Sequence, residues 1–327
     1  MPNNIGNDVN QVKITSLSRI QGQPHVVNLL TTNLESYFNQ RATAKPENLP
    51  QFGSVLFTGP AGVGKSLVAN ALHCELGNLT LIETNGELIN NVLEISSVLM
   101  NADDNTTVFI DEATMGIKTQ NVLLTALSER RLYIPKSGNR KTSYTVPLAN
   151  FTLILATNFE HQLSDALRNR MRICCRFNYY SIDDLITIIK TYATSLKWQY
   201  ESDEILQIIA SRSKQTPRLA LNRNLQMVWN VCVSHNRDTM TLADAEEAFR
   251  LLGVDEVGLD ALERQYLKAL LAGENKLNVL SSKLALPYST ISTVIEPFLL
   301  RQEFIDKNGC NRMITEKGKY HILNTDY

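Results

Sequence analysis

Short apolar runs alternate with helical spacings of apolar residues over the first half of the chain. The runs are rich in β-branched and aromatic residues and predict four buried strands, at 55–57, 79–83, 107–111 and 151–158. Between them, apolar residues three and four positions apart predict helices at 26–37, 87–100 and 119–129. This order is typical of an α/β domain with a central parallel sheet.

The pattern changes near residue 180, beyond which helical spacings follow one another without intervening strands. Ser181 and Thr241 each begin a helix with a capping sequence. From about residue 255 we expect three more helices and a hairpin that turns at Asn308-Gly309, a combination typical of a winged helix. We therefore expect an α/β domain over 1–180, with a loose tail over 1–11, a small all-α lid domain over 181–254 and a winged-helix domain over 255–327.

The first predicted strand leads directly into a glycine-rich sequence that fits G-x-x-x-x-G-K-[ST]. Its residues form the predicted ATP-binding cradle: Gly59, Pro60, Ala61, Gly62, Val63, Gly64, Lys65 and Ser66. Glycines allow a tight turn whose N–H groups point at phosphate oxygens, and the following helix N-terminus attracts the same charge. We expect Lys65 to reach the β- and γ-phosphates and the Ser66 hydroxyl to ligate Mg²⁺.

Two acids end the third predicted strand. Asp111 and Glu112 would lie at the carboxyl edge of a parallel sheet, where such sheets bind ligands. We expect Asp111 to hold Mg²⁺ and Glu112 to orient or activate the attacking water. Asp-Glu after a strand is also common in solvated turns, and only its combination with the glycine-rich loop favours a catalytic role.

Several further candidates have ordinary structural explanations. Ile20 and Gly22 precede the first helix and would cover an adenine ring, or form a plain loop. Arg168 or Arg170, after the fourth strand, would complete the site of a neighbouring subunit, although single arginines are usually surface residues. Arg218, at a Thr-Pro helix start, would reach a nucleotide phosphate. A basic hairpin over 130–147 would contact DNA or a protein, or be a solvated loop; its cations are Arg130, Arg131, Lys136, Arg140 and Lys141.

Composition excludes several classes of protein. Of the 327 residues, 43% are hydrophobic and 20% charged, so neither a disordered nor a fibrous protein is indicated. The formal net charge of -1 provides no overall attraction to DNA. No apolar run approaches the ~18 residues of a membrane span, and no signal peptide is evident. The five cysteines and five histidines lack metal-ligand spacing, and we expect a cytoplasmic protein without a structural metal.

In collinear order over roughly 17–315, the chain resembles the RuvB family, the hexameric ATPase motors of Holliday junction branch migration. Besides the glycine-rich loop and the strand ending in Asp111-Glu112, the resemblance rests on shorter motifs, at Gly22-Gln23, 151–158, 167–170, 216–218, 252–260 and 295–299. The first of these fit many AAA+ ATPases, whereas 252–260 and 295–299 are more specific.

The resemblance implies roles for individual residues. Asn158, or neighbouring Thr157, would sense the γ-phosphate, Arg170 would act as the finger in trans with Arg168 as the alternative, and Arg218 would be the second sensor. Arg312 in the wing would contact the DNA backbone. The implied partners are four-way or duplex DNA, a RuvA-type junction-binding protein and further copies of this chain in a hexameric ring.

Two functions are compatible with these motifs. The first is an ATP-dependent motor for branch migration in recombination and repair. The second is a nucleotide-switched DNA-binding or loader protein that moves no junction. The presence of Glu112 and both finger candidates favours the motor, because a pure switch needs no rapid turnover.

Overall fold

A computed structural model describes residues 6–45, 49–136 and 139–324, with only the backbone described at 135–136 and 139–143. The chain separates into two compact units. One unit comprises Val12–Asp184, and the other comprises residues up to 11 together with those from Leu185 onward.

The first unit is built on a five-stranded parallel sheet with the order β2-β3-β6-β1-β7. Its strands are β1 Val55–Thr58, β2 Thr80–Asn85, β3 Thr106–Asp111, β6 Thr152–Thr157 and β7 Ile173–Arg176. The four predicted strands are confirmed. The fifth, β7, was not predicted, because its four residues alternate between buried and exposed positions at the edge of the sheet.

Helices surround this sheet, and a hairpin projects from it. The helices are α1 Pro24–Thr43, α2 Lys65–Leu76, α3 Val92–Met100, α4 Ile117–Glu129 and α5 Asp165–Arg170. Apolar faces of α3 and α4 pack on β3 and β6 through Ile95, Leu99 and Leu123, all inaccessible to solvent. Strands β4 Arg131–Lys136 and β5 Asn139–Pro147 pair antiparallel, which confirms the predicted hairpin.

The second unit begins with the lid helices. They are α6 Ile182–Leu196, which starts at the boundary of the units, α7 Asp203–Ser211, a π-helix at Leu219–Leu225 that continues into α8 Gln226–Ser234, and α9 Leu242–Leu252. Thr241 and Asp244 form a capping box at the start of α9, as predicted. Two-residue strands β8 Gln199–Tyr200 and β9 Thr239–Met240 pair between the helices.

The same unit ends in a winged helix, as predicted. Its elements are α10 Ala261–Leu271, α11 Leu277–Leu284, α12 Tyr288–Thr290, a π-helical turn at Ile291–Ile295, α13 Glu296–Arg301, β10 Ile305–Asn308, β11 Asn311–Ile314 and α14 Glu316–Asn324. Strands β10 and β11 pair antiparallel around Asn308-Gly309. The last helix, α14, was not predicted; its Ile322 packs into the winged-helix core.

The predicted loose tail is wrong for residues 6–11, because this segment packs on the helical part of the second unit. Gly6 N donates to Leu196 O at 3.2 Å, and Trp198 Nε1 donates to Gly6 O at 2.5 Å. The indole of Trp198 also stacks on Trp229, with ring centroids 4.6 Å apart. Within the described residues, no helix combines the length and apolar character needed to cross a membrane.

Candidate nucleotide-binding site

The glycine-rich loop lies between β1 and α2, at the carboxyl edge of the sheet. Gly64 has φ +97° and precedes the helix, and Gly59 has φ +142°. A Cβ on Gly59 would lie 2.5 Å from the carbonyl oxygen of Phe177, so only glycine fits there. The loop is thus held in the tight turn that a phosphate cradle requires.

Lys65 is 7% exposed, and its ammonium group points back into the loop. Its Nζ donates to the carbonyl oxygens of Gly59 at 2.9 Å and Pro60 at 2.6 Å, and to Asn158 Oδ1 at 2.6 Å. The structure therefore joins two predicted site residues that are 93 positions apart. Thr157, the alternative to Asn158, is buried, and its hydroxyl accepts a hydrogen bond from the backbone N–H of Phe159.

Ser66 and Asp111 also meet at this edge. The Ser66 hydroxyl donates to Asp111 Oδ2 at 2.5 Å, and Asp111 Oδ1 accepts from the backbone N–H of Glu112 at 2.8 Å. A hydroxyl beside a carboxylate suits Mg²⁺, which takes few protein ligands and completes its shell with phosphate and water. Within the described part of the chain, no cluster of three or more His, Cys, Asp and Glu residues is placed to hold a metal ion.

Glu112 occupies an unusual backbone conformation, with φ +45°. Asn85 Nδ2 donates to its Oε2 at 3.3 Å. Next to Asn85, Gly86 leaves room for this turn, since a Cβ there would lie 2.4 Å from the carbonyl oxygen of Glu112. Both Asn85 and Gly86 were missed by the sequence analysis. Asn85 pairs in register with Asp111, and this pairing depends on β2 and β3 being neighbours in the sheet, which the sequence pattern does not specify.

The segment before α1 is fixed close to the cradle. Gln23 Nε2 donates to Asn178 O at 2.8 Å, and a Cβ on Gly22 would lie 2.4 Å from the Tyr180 ring. The Tyr180 hydroxyl donates to Val63 O at 3.0 Å. Gly22 thus lies against Tyr180, which contacts the phosphate loop, and the adenine contact predicted for Ile20 and Gly22 stays a prediction. A pocket of about 470 Å³ opens beside that loop, lined by Gly59, Pro60, Asn158, Glu160, Arg176 and Phe177 among others.

The two finger candidates have different surroundings. Arg168 pairs with Asp165 in its own helix and lies 3.6 Å from Glu160 Oε1, while Arg176 pairs with Glu160 at 2.5 Å. The hydrogen bond that Arg168 donates to Asp165 raises the pKa of Arg168 above its ordinary value. Arg170 is exposed and makes one long contact, from NH2 to Leu127 O at 3.5 Å.

Arg170 lies near the amino ends of the parallel strands, whereas the cradle lies at their carboxyl ends. Arg172, two residues after Arg170, donates its backbone N–H to the carbonyl oxygen of Ser54, which directly precedes β1. Gly59 directly follows the other end of β1. Five residues of extended chain separate these points by about 16 Å. Arg170 is therefore remote from the cradle of its own subunit.

The remaining candidates lie elsewhere. Arg218 belongs to the second unit, where it precedes the π-helix, and its predicted contact with nucleotide stays a prediction. The side chains of Lys136, Arg140 and Lys141 lie outside the described residues. Arg130 does not join the basic hairpin surface: its NH2 donates to Gln51 Oε1 at 2.9 Å, and its guanidinium lies over the Phe151 ring.

Arg312 lies in the wing, but its side chain is 8% exposed and its guanidinium points inward. Nε donates to Glu296 Oε1 at 2.8 Å, and NH1 donates to Cys310 O at 3.0 Å. Glu296 also accepts from the Tyr266 hydroxyl at 2.8 Å and pairs with Lys307 at 2.5 Å. Glu296 and the Cys310 carbonyl oxygen therefore hold the guanidinium inside the domain, and the DNA contact predicted for Arg312 stays a prediction.

Three family models match the chain in succession. They describe a Holliday junction DNA helicase RuvB P-loop domain over residues 12–177, a RuvB AAA lid domain over 180–255 and a RuvB C-terminal winged helix domain over 256–323. Together they account for nearly the whole chain.

Individual proteins agree with the family models. The Holliday junction branch migration complex subunit RuvB of Fervidobacterium nodosum is 34% identical over 282 residues, or 84% of this chain and 80% of that protein. The protein of the same name from Kosmotoga olearia is 30% identical over 96% of this chain and 92% of its own length. The solved Thermotoga maritima RuvB Holliday junction branch migration motor matches with a TM-score of 0.79 and 26% identity, over 96% of this chain and 99% of that one.

Proposed function

The chain belongs to the RuvB family of Holliday junction DNA helicases, and we propose that it is the ATP-driven motor of branch migration at four-way DNA junctions in recombination and repair. The observation that carries the proposal is the meeting of Lys65, Ser66, Asp111 and Asn158 at one sheet edge. We place the domain boundaries near residues 180 and 254.

At the cradle, ATP would bind with its phosphates against the loop N–H groups and the N-terminus of α2. The Lys65 ammonium would exchange its contacts with Gly59, Pro60 and Asn158 for the β- and γ-phosphates. Asn158, released from Lys65, would then be positioned to contact the γ-phosphate. Ile20 and Gly22 would border the adenine end of the site.

Mg²⁺ would be held by the Ser66 hydroxyl and Asp111, where its charge would neutralise that of the β- and γ-phosphates. Glu112 would orient the attacking water. Its contact with Asn85 keeps the carboxylate in place before ATP binds, and turnover then requires that carboxylate to face the γ-phosphate.

Completion of the site requires a second copy of the chain. The exposed Arg170, remote from its own cradle, suits a finger acting on the nucleotide of a neighbouring subunit, whereas Arg168 is engaged by Glu160 and Asp165. A ring of such subunits, hexameric as in the family, would place every finger at a neighbouring cradle. Arg218 would act from the lid as a second sensor, coupling the nucleotide state to lid movement.

DNA and a RuvA-type junction-binding protein are the proposed partners, and the cytoplasm the proposed location. We assign DNA contact to the winged-helix domain as a whole rather than to Arg312, whose guanidinium faces Glu296. The hairpin β4–β5 is the proposed docking element for the protein partner.

The test is dissociation of a synthetic four-way junction with ATP and Mg²⁺, in the presence and absence of a RuvA-type protein. We expect dissociation by the intact chain with the partner, and none by Lys65→Ala. ATP hydrolysis without junction movement under either condition would overturn the motor function and favour the loader or switch.

A further inference from the structure

A second polar pocket lies at the amino edge of the sheet, opposite the glycine-rich loop. Its volume is about 260 Å³. It is lined by Gln51, Phe52, Gly53, Ser54, Leu127, Arg130, Asn169, Arg170, Met171 and Arg172. These residues come from the segment before β1, the end of α4 and the link from α5 to β7, all within the first unit.

Positive charge is concentrated in this pocket. Three arginines line it, Arg130, Arg170 and Arg172, and none of the described residues that line it is acidic. Burial, and then the neighbouring charge of Arg172, lower the pKa of Arg130 below its ordinary value. Because like charges held together repel, such a cluster is stabilised when an anion enters it.

The back of the pocket is rigid. Arg130 is fixed by Gln51 Oε1 at 2.9 Å, by Phe151 O at 3.4 Å and by the Phe151 ring beneath its guanidinium. The other polar atom of the same amide, Gln51 Nε2, is buried without a hydrogen-bond partner. An unsatisfied buried N–H is costly, so this amide retains a donor for which the described residues provide no acceptor.

Arg172 is positioned by the turn before β1. Its N–H donates to Ser54 O at 3.1 Å, and its side chain passes over Gly53. A Cβ on Gly53 would lie 3.0 Å from Arg172 Cβ and 3.1 Å from its Cδ. Glycine at position 53 therefore leaves room for the aliphatic part of the Arg172 side chain. Arg172 is an exposed residue and lines the same pocket as Arg170.

We propose that this pocket binds the terminal phosphate of the nucleotide held by a neighbouring subunit, with Arg172 as a second trans contact beside Arg170 and with Arg130 and Gln51 as positioning residues behind them. The inference rests on the proposed function and extends it. Charge on a transferring phosphoryl group spreads over three oxygens, which one guanidinium covers only in part. The pocket provides several donors converging on one tetrahedral anion.

The first test compares ATP turnover in variants of Arg172. Removal of a charged hydrogen bond from the transition state corresponds to a loss of about 10- to 100-fold in kcat. We expect this loss in Arg172→Met, which keeps the aliphatic stem, with KM for ATP nearly unchanged, and partial recovery in Arg172→Lys. Gly53→Ala, which crowds Arg172, should lower kcat by only a few fold. Arg41→Met, an exposed arginine of α1 outside both sites, should match the wild type.

The second test mixes Arg172→Met with Glu112→Gln subunits. A cradle intact in the first variant would receive both arginines from the second, so the mixture should hydrolyse ATP faster than the sum of the separate variants. A mixture of Lys65→Ala with Glu112→Gln, both defective at the cradle, should gain nothing.

Each contrary outcome identifies a different failure. Wild-type kcat in Arg172→Met, with activity lost in Lys65→Ala and Arg170→Ala, would overturn the second contact and leave the proposed function intact. Loss without recovery in the mixture, accompanied by weaker assembly in sedimentation, would assign Arg172 to an interface ion pair and also overturn it. Full hydrolysis by Lys65→Ala would instead overturn the proposed function.

Discussion

The amino-edge pocket and the wing each contain an arginine that sequence position alone assigns to a phosphate. In the pocket, Arg170 is exposed, and its NH2 donates to the backbone carbonyl of Leu127 over a long 3.5 Å. In the wing, Arg312 is 8% exposed and bound to the carboxylate of Glu296, which Tyr266 and Lys307 also contact.

This difference shows that the position of an arginine in a sequence motif does not determine whether its side chain is available to a phosphate. An exposed guanidinium without an ion-pair partner breaks no salt bridge when a phosphate approaches, so the new charge-assisted hydrogen bonds are not offset by the loss of an existing pair. A guanidinium paired with a buried carboxylate would have to leave that carboxylate with fewer partners, here Tyr266 and Lys307 alone. Breaking a buried ion pair costs up to about 3–5 kcal/mol. The partner of the arginine, more than its position in the sequence, therefore separates a contact for an external anion from a structural ion pair.

The largest effect is expected for Arg170→Ala. Loss of a finger arginine lowers kcat by about 10³- to 10⁵-fold, because its charge stabilises the charge that develops on the transferring phosphoryl group in the transition state. The thermal unfolding midpoint should stay at the wild-type value, since the side chain is exposed. A comparable loss of kcat accompanied by a large drop in the midpoint would mean that Arg170 is structural and that the comparison fails.

Arg312→Ala should show the opposite profile. Glu296 would remain buried without its main partner, and we expect the winged-helix domain to lose about 3 kcal/mol of unfolding free energy. ATP hydrolysis without DNA should change little at temperatures where the variant is folded. Urea unfolding measures the free energy of unfolding, and a coupled ATPase assay measures the rate of ATP hydrolysis. Wild-type stability with weakened DNA binding would restore Arg312 as a DNA contact.

The Glu296 network should also give the winged helix a characteristic acid sensitivity. Burial alone would raise the pKa of Glu296, but the hydrogen bonds from Arg312, Lys307 and Tyr266 outweigh it and hold the pKa below its ordinary 4.5. A carboxyl with a depressed folded pKa stabilises fully above its unfolded pKa, and this contribution is lost as the pH falls through the folded value. Unfolding of Glu296→Gln, compared with wild type from pH 6 to 3, should depend less on pH; equal slopes would contradict the network.

The smallest effect is expected for Arg168→Ala. Its guanidinium is about one-third exposed and pairs with Asp165 and Glu160 inside its own subunit. We expect kcat to fall less than threefold, because the guanidinium is already engaged by carboxylates of its own subunit and such surface pairs contribute little. A loss as large as that of Arg170→Ala, measured in the same assay, would transfer the finger role to Arg168.

Motifs formed by residues adjacent in sequence were sufficient to predict much of the secondary structure and part of the candidate site. The glycine-rich loop, the strand ending in Asp111-Glu112 and the Asn308-Gly309 turn each depend on neighbours in sequence, so local pattern predicted them. Strand β7 escaped because four alternating residues at a sheet edge carry a weak apolar signal.

Long-range pairings could not be predicted from those patterns. The partner of Arg312 lies 16 positions away on another element, and that of Arg130 lies 79 positions away. Asn85 contacts Glu112 only because β2 and β3 are neighbours in the sheet. In each case burial and strand order, which a single sequence does not specify, decide which groups meet.

The most direct test of a site shared between subunits is the ATPase activity of an equimolar mixture of Arg170→Ala and Glu112→Gln chains. Each variant alone should be nearly inactive, one lacking the finger and the other the group that orients water. In mixed assemblies the intact cradle of the first would meet the intact finger of the second, so activity should reappear and rise with the mixed fraction. Activity that stays at the sum of the separate variants, in assemblies verified to contain both chains, would contradict the account.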